Sequence, residues 1–125
     1  LLMACKISQD KAVKLDLPGR VSRQIVSGGS GANDISVRLV EIEMMTKGQS
    51  RKRHYHPDVE ECIYVLEGAG RTETDTGNYN LRPGDTLIVP PNEWHCTLNT
   101  GDETLKLLCF FPTGKVTVLG EESAV

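Results

Sequence analysis

Only three histidines occur in the 125 residues, and they fall in two short windows: His54 and His56 in one, His95 in the other. Two apart on an extended segment, His54 and His56 project from the same face. Glu61 follows a turn at Pro57-Asp58 long enough to fold its carboxylate back toward that face. His95 stands on a separate β-prone run that a closed sheet can bring alongside. Three imidazoles and one carboxylate suit manganese, iron, nickel, copper or zinc, and they leave coordination positions open for water or substrate. Singly, each histidine would read as an idle surface residue or a hydrogen-bonded core residue. Their spacing together reverses that reading.

The elements that must position these side chains are short and β-rich. Apolar or alternating runs cover 21–27, 35–45, 50–56, 62–66, 71–75, 79–81, 86–89, 94–98 and 104–111, with Gly, Pro, Asn and Asp between them. Gly77-Asn78 closes a hairpin, and Arg82-Pro83-Gly84-Asp85 has proline and glycine where a type II turn wants them. No amphipathic helix or internal repeat is evident. Strands at this spacing predict an all-β chain, a small antiparallel sandwich or barrel. Residues 1–20 read as an N-terminal arm, 21–119 as the barrel domain and 120–125 as a tail. Residues 116–119 could add an edge strand or pair with a second subunit.

Lys+Arg 14 against Asp+Glu 17 gives a formal net charge of -3, without the electropositive field of a nucleic-acid binder. The run Arg51-Lys52-Arg53 is too short to change this. No apolar stretch approaches the ~20 residues of a membrane span. No charged start with an apolar run and a small-residue cleavage site marks a secretory signal, so a cytoplasmic location is expected. Cys5, Cys62, Cys96 and Cys109 form no C-x-x-C pair and read as reduced, mostly buried thiols.

The spacing also carries a family resemblance. Gly48, five residues, His54-Tyr55-His56, four residues, Glu61, six residues and Gly68 resemble the first cupin motif. Gly84, five residues, Pro90-Pro91-Asn92, two residues, His95, three residues and Asn99 resemble the second, with Asn92 where the family has Gly. Asn is the commonest substitute for Gly in a left-handed backbone, so the turn should survive. The resemblance implies a cupin-like double-stranded β-helix, or jelly roll, and metal ligation by His54, His56, Glu61 and His95. Counting back six residues from Gly68 selects Glu61 over Glu60, which then reads as a solvated turn residue.

If Glu61 points inward, Ile63 and Val65 share its face while Cys62 and Tyr64 point away. Lyase-type small cupins carry a tyrosine base two residues after the glutamate; this chain has Ile63 there. An aliphatic residue beside an aromatic, and the ending Leu107-Leu108-Cys109-Phe110-Phe111-Pro112, look more like small manganese or iron cupins with oxygenase activity. The resulting expectation is a metal-dependent dioxygenase acting on a small chelating substrate, an enediol, diketone or catechol-like compound. Ile63, Val65 and, at the mouth, Lys52 are the candidate pocket residues. A non-redox isomerase or lyase on a sugar acid is the alternative, with Glu41, Glu43 or Tyr79 as candidate bases; a non-catalytic binding cupin is the other. Sheet edges need covering, so a homodimer is expected, with the N-terminal arm or 116–119 added to a neighbour's sheet.

Overall fold

A computed structural model describes residues 3–17, 19–45 and 51–123. Gly48, the first glycine of the motif, lies outside them. The described strands are β1 (Val13–Leu17), β2 (Arg20–Val26), β3 (Ser36–Ile42), β4 (Lys52–Tyr55), β5 (Glu61–Glu67), β6 (Gly70–Thr74), β7 (Asn78–Leu81), β8 (Thr86–Val89), β9 (His95–Asn99), β10 (Leu105–Phe111) and β11 (Leu119–Ser123). Among the described residues, helix is confined to two single 3-10 turns, Gln9–Lys11 and Gly28–Ser30. Among the described residues no helix is long and apolar enough to cross a membrane.

The strands form two antiparallel sheets, ordered β1-β2-β3-β10-β5-β8 and β11-β4-β9-β6-β7. Together they make a jelly roll. Strand β10 lies at the middle of the larger sheet because its alternation is the most regular: Leu105, Leu107, Cys109 and Phe111 are buried, and Phe110 is exposed. Leu107 pairs across to Val40 on one side and Val65 on the other, and Cys109 pairs to Ile63. These residues, with Ile42, Leu81 and Val89, form one apolar core between the sheets. Burying such a side chain contributes about 1.5–3 kcal/mol.

Two connections fix the register near the site. Gly68 has φ +88, and a Cβ there would lie 2.9 Å from the Leu105 Cα and the Thr104 carbonyl oxygen, so the β5–β6 turn packs backbone to backbone. Asn92 takes φ +68, the left-handed conformation expected of it. Its backbone N–H donates to the His56 carbonyl at 3.0 Å and its side-chain oxygen accepts from the Asp58 N–H at 3.2 Å. The turn before β9 is thereby tied to the turn after β4.

Both chain ends differ from expectation. Within the segment read as an arm, Val13–Leu17 pair with β2 from Val13↔Gln24 to Leu17↔Arg20. At the other end the strand begins at Leu119 rather than Val116, and it pairs with β4. Both segments extend this chain's own sheets. For β1 the reason is local: the link from Leu17 to Arg20 is so short that closing the hairpin costs little chain entropy.

Candidate metal centre

His54 lies on β4 directly across from His95, the first residue of β9. His56 follows one residue beyond the end of β4, and Glu61 opens β5. The site is thus assembled at strand ends, where side chains converge without breaking a ladder. Ring centroids are 4.4 Å apart for His54 and His95, 5.0 Å for His54 and His56, and 5.4 Å for His56 and His95. One ligand atom from each of the four residues falls within 4.8 Å of all the others. All four residues are buried.

The hydrogen bonds around the imidazoles orient them. His95 Nδ1 lies 2.9 Å from the Glu93 carbonyl and His56 Nδ1 lies 2.9 Å from the Thr117 carbonyl. A carbonyl only accepts, so in each ring Nδ1 carries the proton and Nε2 turns to the centre. There Nε2 of His95 is 3.0 Å and Nε2 of His56 3.3 Å from the same Glu61 oxygen, Oε1. In neutral rings these are lone pairs facing a carboxylate, an arrangement that only a cation between them makes favourable. His56 Nε2 and His54 Nδ1 are, moreover, buried without a hydrogen-bond partner. A proton can satisfy one of the two contacts at Glu61 Oε1; a divalent ion satisfies both. The donor set fits a metal.

Charge and burial act in opposite senses on the members. Burial pushes His54 down to about 2, helped by the charges of His95 and Arg20. Burial alone would lower His95 too, but the hydrogen bond and charge of Glu61 outweigh it and raise it. Glu61 would be raised by burial, yet its contacts with His56 and His95 hold it well below the usual carboxylate range. Burial, then the Glu61 charge, raises the Cys109 thiol.

The cluster opens on an inner cavity of about 40 Å³. Ile63 lines it, in the phase expected from Glu61: Ile63 is 2 % exposed and Tyr64 37 %. Val65 is buried in the core and does not reach the cavity wall. Lys52 is exposed and also lies outside that wall; two arginines, Arg51 and Arg20, line it instead. Arg51 precedes β4, so the alternation that would have turned Lys52 inward does not govern it. Arg51 was visible in sequence as part of a basic run three residues before His54. Arg20 carried no signal, because nothing local relates the start of β2 to a histidine 34 residues on. Cys109 and Thr97 also line the cavity. Of the candidate bases, Glu41 is paired with Arg23, Glu43 accepts from Thr104 Oγ1 at 2.9 Å and Tyr79 is 41 % exposed; none lines the inner cavity.

Comparison with known proteins agrees with this architecture. The sequence model of the cupin domain matches residues 41–111, more than half of the chain. The chain belongs to the cupin family. This cupin is 37% identical over 62 residues to an uncharacterized protein of Methanocaldococcus jannaschii, covering 50% of each chain. It is 38% identical over 68 residues to a glucose-6-phosphate isomerase of Thermococcus onnurineus, covering 49% of this chain and 36% of that one. Its fold matches an oxalate decarboxylase of Lactobacillus farciminis with a TM-score of 0.77 at 23% identity, over 89% of this chain and 34% of the other. This cupin spans about half the length of the first of these relatives and about a third of the second and third.

Proposed function

We propose that this cupin is a metal-dependent enzyme acting on a small chelating acid or enolate, with oxygenase chemistry as the preferred reading. The observation that carries it is the convergence of His54, His56, Glu61 and His95 on one point, beside a cavity lined by three of them, His54, Glu61 and His95, and by Arg20 and Arg51. A divalent transition metal held by the four would supply Lewis acidity and, for manganese or iron, redox capacity. The arginines supply fixed positive charge for a carboxylate or enolate oxygen. Ile63, Val40, Ile42 and Leu107 keep the remaining walls apolar, which limits water at the reacting centre. The substrate expected from sequence is thereby narrowed: the chelating compound is anionic.

The non-redox alternative draws support from the glucose-6-phosphate isomerase likeness. Against it, a proton-shuttling isomerase or lyase needs a base beside the metal. Among the described residues the inner wall offers, beyond His54, Glu61 and His95, only Cys109 and the two arginines as titratable groups. Oxygen-electrode assays of manganese- and iron-loaded protein on 2-oxo acids, enediols, diketones and catechols, each repeated anaerobically, separate the two. Turnover is expected to require oxygen. Equal turnover without oxygen would sink the oxygenase reading.

Assembly as a homodimer belongs to the same proposal. With β1 and β11 used within the chain, the surface that supports it is the outer face of the larger sheet. There Phe110, Cys62 and Ile88 stand in one cross-strand row, beside Leu108 and Tyr64 in the next. Light scattering at tens of micromolar is expected to give twice the 13.7 kDa chain mass. A persistent single-chain mass would exclude it.

A further inference from the structure

A second hollow, of about 440 Å³, adjoins the metal cavity, and Arg20 and Arg51 line both. Beyond the arginines its wall is formed by Val21, Met44 and Met45, with Glu41 and Glu43 completing it. Met44 is 52 % and Met45 38 % exposed, the kind of adaptable apolar surface that accepts varied shapes. The arginine wall is built into the chain's local geometry. Gly19 has φ +72, and a Cβ there would lie 2.4 Å from Arg51 Nη1. The β1–β2 turn thus leaves room that the Arg51 guanidinium occupies, although Arg51 is itself buried.

The two compartments differ in size and character. The inner one has space for a few ligand atoms beside the metal ligands and no more. The outer one is about eleven times larger and partly apolar; Arg20 and Arg51 are common to both, and Glu41 and Glu43 also line the outer one. A ligand complementary to both has an acidic, chelating head and an apolar body. Its carboxylate meets Arg20 and Arg51, its second oxygen reaches toward the His–Glu cluster, and its chain lies along Val21, Met44 and Met45.

We infer that this cupin selects amphiphilic 2-oxo or 2-hydroxy acids, binding the acid head at the arginine wall and an apolar tail in the outer hollow. This rests on the chelating-acid reading above and adds the tail. The test is calorimetric titration of cobalt-loaded protein with oxalate, pyruvate, 2-oxohexanoate and 2-oxooctanoate. Affinity is expected to rise by roughly three-fold per added methylene while the tail stays in the hollow, so that 2-oxooctanoate, with five more methylenes, binds on the order of 100-fold tighter than pyruvate. In a Met44→Ser/Met45→Ser protein the ratio between the two should fall toward one. Both methionines are surface residues, so this variant keeps the core intact. A ratio of one in the parent protein, or a ratio untouched by the double substitution, would overturn the tail site while leaving the acid site standing. If neither oxalate nor pyruvate binds, the chelating-acid reading falls, and the tail site with it.

Discussion

His95→Ala, His54→Ala and Glu61→Gln proteins, purified without an affinity tag, are expected to bind manganese, iron or zinc on the order of 100-fold or more weaker than the parent. Losing a partner of a ligating group already costs 10–100-fold in many sites, and losing a ligand costs at least as much. The effect should be largest for His95 and Glu61, which sit 3.0 Å apart at the middle of the cluster. Glu60→Gln is the control: Glu60 is an exposed neighbour of Glu61 with the same charge, and its substitution should leave metal content unchanged. Elemental analysis of all four proteins decides the matter. Stoichiometric metal in a His54→Ala/His95→Ala double variant would show that the ion is held elsewhere.

Acid should destabilise the metal-free protein, beginning near the ordinary titration point of an imidazole and well above that of a carboxylate. His54 is held down to about 2 by burial, so between about pH 6.5 and that value the unfolded chain takes up a proton the folded chain refuses. The unfolded state then binds more protons, and stability falls as pH falls, with a limiting slope of about 1.4 kcal/mol per pH unit. The other shifted groups act in different windows. His95 is raised, so its stabilising share is fully present below about pH 6.5 and is lost as pH rises through its folded value. Glu61 is lowered, so its share is present above about pH 4.3 and is lost on further acidification. The interval from about pH 6.5 to 4.5 therefore reports chiefly on His54. Urea midpoints measured across it should drop steadily in the parent and flatten in His54→Gln. A slope unaffected by that substitution would mean that His54 is not held neutral by its surroundings. Metal affinity should fall over the acid range as well, because the proton on the raised His95 must leave before the ring can ligate.

The local pattern was legible because it is short-range. Strand phase follows from a period of two, so Glu61, Ile63 and Val65 could be placed on one face and Cys62 and Tyr64 on the other before any coordinates. The left-handed turn at Asn92 followed from the family resemblance, since Asn stands there where the cupin motif has Gly. The four metal-site residues were legible because their spacing records which strand ends must meet. Tertiary structure decided what spacing does not record. That β1 and β11 complete this chain's own sheets depends on a short hairpin link and on which edges remain open once the other strands have paired. That the cavity is lined by Arg51 rather than Lys52 depends on where β4 begins, and alternation says nothing of the residue before a strand. Arg20 reaches the same wall from 34 residues away because β2 lies beside β3, whose Val40 and Ile42 line the cavity. Sequence brought the four candidate ligands together; only the folded sheets could set Arg20 and Arg51 beside them.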